Sequence, residues 1–216
     1  MIPNFVDLER FHPDPDRGIR GQLRAGDRFV LTHVSNYRPV KRVEDVVRGF
    51  ANLRAHLEAV LVLVGDGPDL SKAKDLARDL GVREDLRVLG KMMDLEKVYQ
   101  ASDLFFLPSL AESFGLSALE AQACGVPVIG YLAGGLPEVV KNGETGILCP
   151  AGQDICLGGV AAELLTDSRR YGEMRRASRE NAESFSVGRI LKRYESSLCG
   201  LVNGVDTDPR NGAVSG

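Results

Sequence analysis

Residues 107 to 130 read LPSLAESFGLSALEAQACGVPVIG, and the reading of this stretch decides the fold. Two glutamates, Glu112 and Glu120, stand with seven residues between them. Short apolar runs, Leu104–Leu107 and Val126–Ile129, flank the segment and have the character of buried parallel strands. Phe114-Gly115 opens a helix predicted over Gly115–Cys124. Its free N–H groups and positive dipole end form a natural seat for a phosphate. Glu112 precedes that helix, and Glu120 lies about 7 Å along it at the usual helical rise. Two carboxylates that accept hydroxyl hydrogen bonds, set around an anion seat, suit a ligand with hydroxyls and phosphates. A nucleotide-sugar has both.

Outward from this segment the chain alternates. Phe29–Val34, Ala59–Val64, Leu86–Leu89 and Ile147–Leu148 are further strand candidates; Val43–Ala55, Leu70–Leu80 and Leu95–Ala101 read as helices. Asp154–Leu201 is helical in pattern, with breaks near Asp167 and Phe185-Ser186. The expected class is α/β, a Rossmann-like parallel sheet with helices on both faces. Residues 1–27, rich in Pro, Asp, Arg and Gly, read as a linker or lead-in outside the core. Residues 28–201 read as one nucleotide-sugar-binding domain and 202–216 as a disordered tail. In such sheets ligands sit beyond the C-terminal ends of the strands, so the turns after Val34, Val64, Leu89, Leu107 and Ile129 should converge on one crevice.

The chain of 216 residues suits one large domain, and its formal charge of −3 gives no basic excess for nucleic acid. No apolar run approaches the roughly 20 residues that span a bilayer, and the N-terminus lacks the regions of a signal peptide. The four cysteines (124, 149, 156 and 199) show no CxxC spacing and sit among apolar residues. They read as buried free thiols, which favours a reducing cytoplasm.

The turn after the first strand, Ser35-Asn36-Tyr37-Arg38-Pro39-Val40-Lys41-Arg42, sets three cations within five residues at a strand's C-terminal end. Arg engages phosphate as a fork and Lys as a point charge, so this turn is the expected diphosphate contact. Gly65-Asp66-Gly67-Pro68 permits either close approach to a ligand or a plain strand-to-helix turn. Gly134-Gly135 follows the next strand, and Glu138 reads as a first-turn helix residue. His33, inside a strand, reads as a satisfied core histidine. His12, His33 and His56 show no metal spacing.

Taken together, IPNFVDLERFHP, VGDGP, ESFGLSALEAQACGVPVI and GGLPEVVKNGETGIL resemble the C-terminal, donor-binding domain of retaining GT-B glycosyltransferases of family 4. The resemblance covers roughly Ile2 to Tyr194. It implies that Glu112 contacts donor-sugar hydroxyls and Glu120 the nucleotide ribose. It further implies that backbone groups of Phe114, Gly115 and Leu116 hold phosphate or sugar, and that a base-binding loop falls on Gly90-Lys91-Met92. Lys41 matches the family's phosphate-binding lysine. Ser35-Asn36 stands where most members carry Gly-Arg, and Arg38 is the candidate for that arginine's role.

HVSNYRPVKRVEDVV resembles, more narrowly, the branch that transfers N-acetylglucosamine from UDP-N-acetylglucosamine to L-malate in bacillithiol biosynthesis. The implied catalytic set is Glu112, Arg38 and Lys41. The implied donor contacts are Glu120, Phe114, Gly115, Leu116, Asn36, Gly65 and Met92. No metal or other cofactor is implied. L-malate would be bound through an N-terminal domain that precedes the segment in the family, and a homodimer of the complete enzyme is allowed. Three alternatives stand beside this reading: a UDP-sugar binding module inactive alone, a family 4 enzyme with another donor or acceptor, and a sugar-nucleotide 2-epimerase of similar fold. The acid/base constellation of the last is not apparent.

Overall fold

The computed structural model describes residues 4–16, 18–192 and 194–195. The predicted tail at 202–216 and Cys199 lie outside the described residues.

Six strands form one parallel sheet: β1 (Phe29–Val34), β2 (Ala59–Val64), β3 (Leu86–Gly90), β4 (Leu104–Leu107), β5 (Val128–Tyr131) and β6 (Gly146–Cys149), in spatial order β3-β2-β1-β4-β5-β6. The connecting helices are α1 (Val43–Arg54), α2 (Leu70–Asp79), α3 (Leu95–Ala101), α4 (Leu116–Ala123), α5 (Leu136–Val139), α6 (Asp154–Thr166) and α7 (Ser168–Glu183). This is the Rossmann-like class expected from the alternation of strands and helices. The strand order reverses between β1 and β4, the switch point beyond whose strand ends ligands bind in sheets of this class.

The continuous aliphatic runs follow from burial on both faces. All six residues of β2, AVLVLV, are buried. Their side chains alternate between two cores, as the two-residue period of a strand requires. Leu61 and Leu63 join Leu31, Phe106, Val46, Phe50 and Leu157 on the face covered by α1, α2 and α6. Val60, Val62 and Val64 join Val30, Val98 and Ala101 under α3. Phe105, Leu107 and Val128 pack beneath α4 and α5.

Three expectations are corrected. The lead-in is not outside the core: Val6, Phe11, Ile19, Leu23 and Ala25 are all buried. Val6 donates to Phe185 O at 3.0 Å and pairs with Ser186, so the first residues dock beside the end of α7. Arg20 reaches Ala101 O at 3.0 Å and Asp103 Oδ2 at 3.1 Å, and Asp103 in turn accepts from Val30 N. The second correction concerns the cysteines. Cys149, ending β6, is disulfide-bonded to Cys156 in α6, with 6.2 Å between their Cα atoms. Only Cys124, among the described residues, is a free buried thiol. The inference from free thiols to a reducing compartment therefore loses two of its supports. Third, β5 begins at Val128, because Val126 N is taken by Ala121 O in the turn that closes α4. Among the described residues, no helix is long and apolar enough to cross a membrane.

The lead-in correction has a direct test. Phe11→Ala should cost about 3 kcal/mol of stability in chemical denaturation, the usual scale for emptying a buried aromatic site. A surface linker would register within about 0.5 kcal/mol.

Candidate functional site

The crevice is walled by the loop after β1 and the loop after β4. Pro39–Lys41 forms a short 3₁₀ turn, with Pro at its start supplying the fixed φ that such a turn needs. Leu110 N donates to Val40 O at 2.9 Å and ties the two loops by their backbones. Next to that tie, Lys41 Nζ stands 2.5 Å from Glu112 Oε1, both side chains mostly buried. The third wall is the turn after β5: Gly135 N donates to Glu112 O at 2.7 Å. Residues 71 positions apart in the chain thus form one charged pair at the switch point.

Helix α4 opens directly behind Glu112. Gly115 is its N-cap at φ 89°, a conformation that favours glycine, and no side chain caps the helix. The amides of Leu116 and Ser117 have no acceptor within the helix and remain available with the positive dipole end. Leu116 is exposed at this entrance. Phe114 packs its ring on Phe185 at a centroid distance of 5.8 Å, so it can offer a ligand its backbone rather than its side chain.

Glu120, one turn further along α4, is half-buried and accepts from Tyr99 OH at 3.2 Å. Burial pushes its carboxyl above the usual range, against the opposing pull of the Tyr99 hydrogen bond and of Arg10. Neither partner was singled out from sequence. Arg10 sits in a segment read as linker, and Tyr99 in a short helix with no motif of its own.

Other expected site residues are placed as follows. Arg38 is exposed at the rim, and its side chain has no hydrogen-bond or ion-pair partner among the described residues, while its carbonyl accepts from Lys41 N at 2.8 Å. Arg42, the third cation of the turn, is committed elsewhere: it forks onto Asp45 at 2.8 and 2.9 Å, and Asp45 also accepts from Tyr131 OH. Asn36 is exposed. Met92 is half-buried beyond the end of β3.

The Gly65 and Gly67 positions serve the protein's own backbone. A Cβ on Gly67 would stand 1.8 Å from Asn36 O, and one on Gly65 would stand 1.9 Å from Ser35 O. The glycines therefore let the loops after β1 and β2 lie against each other, the plain-turn alternative. The Lys41–Glu112 pairing joins the loop after β1 to the loop after β4.

Beneath the turn, His33 is held as expected of a core histidine. Nδ1 lies 2.9 Å from Phe106 O and Nε2 lies 2.8 Å from Ser35 Oγ, and that hydroxyl also accepts from Tyr37 N. Burial lowers the His33 pKa from 6.5 to about 4. The imidazole is thus neutral in the fold, while the unfolded chain takes up its proton from near pH 6.5. Stability should be complete above pH 6.5 and fall by about 3 kcal/mol as the pH drops toward 4. Denaturation midpoints across that window should flatten in His33→Gln.

Similarities to known proteins bear on this site. The family described as glycosyl transferases group 1 matches residues 16–185. The N-acetyl-alpha-D-glucosaminyl L-malate synthase of Bacillus anthracis is 40% identical over 86% of this chain and 48% of its own length. The D-inositol 3-phosphate glycosyltransferase of Rhodococcus erythropolis is 34% identical over 97% of this chain and 52% of its own. The chain therefore spans about half the length of these curated relatives. Among solved structures, Anabaena HepE in complex with UDP-glucose superposes with a TM-score of 0.84 at 25% identity, covering 92% of this chain and 57% of that one.

Proposed function

The chain belongs to the glycosyl transferases group 1 family, and from that premise we propose that it is the donor-binding half of a retaining glycosyltransferase. The donor is UDP-N-acetylglucosamine and the acceptor of the complete enzyme is L-malate. The observation that carries the reading is the Lys41–Glu112 pair at the switch point, set against the uncapped start of α4. One carboxylate, one ammonium and two open amides meet within one crevice, which is the complement of a sugar diphosphate. The bound UDP-glucose of the HepE structure supports the nucleotide, and the 40% identity to the malate synthase supports sugar and acceptor.

The charges divide the work. An ammonium has three donors, so Lys41 can keep Glu112 and still donate to a phosphate oxygen. Glu112 retains a second oxygen for sugar hydroxyls, and the salt bridge holds it in position before the donor arrives. Arg38, unpaired at the rim, supplies a second cation. As the glycosidic bond breaks, negative charge grows on the departing UDP. Lys41 and the amides at the start of α4 would meet that charge from preset positions and Arg38 would reach it from the rim, which favours the transition state over the bound donor. Backbone groups of Phe114, Gly115 and Leu116 line the phosphate and sugar. Asn36 and Met92 frame the remainder, and Glu120 takes the ribose. Transfer with retention proceeds on the face from which UDP leaves.

The D-inositol 3-phosphate glycosyltransferase relatives favour a second reading in which the same donor site serves an inositol phosphate acceptor. Acceptor choice lies outside the residues of this crevice.

Calorimetry tests the donor site. UDP should bind, and Glu120→Ala should weaken it about 10-fold or more, the scale of a lost hydrogen bond to a charged group. Glu112→Ala should weaken UDP-N-acetylglucosamine by a similar factor while sparing UDP. Equal losses for both ligands would contradict the division of roles, and no heat at millimolar UDP would end the donor-site reading. Incubated with UDP-N-acetylglucosamine and L-malate, this chain alone should release no UDP. Turnover would place an acceptor site within these residues.

A further inference from the structure

The lead-in does more than cover the core. Asp7 Oδ1 accepts from the backbone N–H groups of Glu9 and Arg10 at 3.0 and 3.1 Å and turns the chain sharply there. Phe11 is thereby seated against Tyr99, with 6.0 Å between the ring centroids, and Tyr99 is held edge-on by Phe105 at 5.6 Å. Arg10 lies over the Phe11 ring. Its guanidinium lies 5.1 Å from the Phe11 ring centroid, donates from Nε to Glu96 Oε2 at 2.9 Å, and donates from Nη2 to Met93 O. One residue of the lead-in therefore grips both α3 and the turn that follows β3.

The two threads meet in α3, whose Tyr99 reaches Glu120 and whose Glu96 holds Arg10. Tyr99, gripped by Phe11 and Phe105, aims its hydroxyl at Glu120 Oε2. Arg10 contributes favourable charge to the same carboxylate, and Glu96 opposes it. Glu120 is a half-buried carboxylate on a helix of small residues, and its burial by itself favours the neutral acid. A carboxyl held ionised accepts two hydroxyl hydrogen bonds at once. A protonated one does so less well.

We propose that Arg10 and Tyr99 are positioning residues for Glu120, and that Arg10 also locks the Met92–Met93 turn. The lead-in thereby joins the ribose-binding carboxylate to the base-binding loop in one rigid unit. The inference rests on the reading that Glu120 takes the ribose hydroxyls. It adds two residues from outside the crevice to the determinants of nucleotide selectivity. Tyr99 orients one oxygen and leaves the other for the ligand. Arg10 ties α3, which carries Tyr99, to the turn after β3 and so holds the Glu120 side of the site against the base side.

The test measures binding of UDP and of 2′-deoxy-UDP by calorimetry to the same chain. Wild type should prefer UDP by about 10-fold, because only UDP presents both hydroxyls to Glu120. Tyr99→Phe, which keeps the ring and its packing, should cut that preference by about threefold or more. Arg10→Met should do the same, and Arg10→Lys should recover most of it. A merely structural role would weaken both ligands alike and leave their ratio unchanged. A ratio unaltered in Tyr99→Phe and Arg10→Met, with UDP still bound, overturns this inference and leaves the donor-site reading standing. Equal binding of the two ligands by wild type overturns the ribose assignment and the inference together. Absence of UDP binding overturns the donor site itself. Should Arg10→Met fail to fold, Tyr99→Phe decides alone, its melting temperature serving as the control.

Discussion

The contact between Lys41 and Glu112 organises this molecule's working face. It sits where the sheet reverses its strand order, so the loops after β1 and β4 have no covalent reason to meet. The backbone bond from Leu110 to Val40 brings them together, and the bond from Gly135 to Glu112 adds the loop after β5. An isolated carboxylate so largely buried would be costly, and so would an isolated ammonium. Each makes the other's position tolerable.

The sheet makes that placement possible. Strands buried on both faces leave no freedom of register, since a slip of one residue would exchange the two cores. Leu61 and Leu63 face α1 while Val60 and Val62 face α3. The strand ends are consequently fixed, and so are the loops that leave them. Helix α4 adds a second constraint. Ala118, Ala121 and Ala123 are buried, and small side chains let this helix lie close to its neighbours. Its uncapped start then points into the crevice while Glu120 faces α3. The residues before β1 complete the arrangement from behind: Phe11 and Arg10 brace the same α3 that presents Tyr99.

Much of the candidate site's local geometry was legible in the sequence. Glu112, Gly115 and Glu120 belong to one short segment whose geometry a helix dictates, and the strands on either side announce themselves by composition. Lys41 was recognisable as a cation at a strand end, yet its engagement with Glu112 was not, because that contact joins distant parts of the chain. Arg42 stood equally well for phosphate on paper. Folding delivers it to Asp45, which Tyr131 also engages. Gly65 and Gly67 signalled a close approach correctly but not its object, which is the neighbouring loop. Cys149 and Cys156 lack a spacing that announces a pair, and only the docking of α6 beside β6 brings them together.

The alternation of strands and helices, the doubly buried strand AVLVLV and the open helix start at Gly115 were determined by the sequence itself. Each follows from hydrophobic period or from backbone chemistry within a few residues. Tertiary structure decided which charges meet and which stay free. It paired Lys41 with Glu112, withdrew Arg42, left Arg38 at the rim and drew the first residues of the chain against Tyr99. The reason is physical. Ion pairs and hydrogen bonds depend on distances of a few ångströms between groups that the chain sets far apart, and packing of the sheet and its helices alone brings those groups within reach.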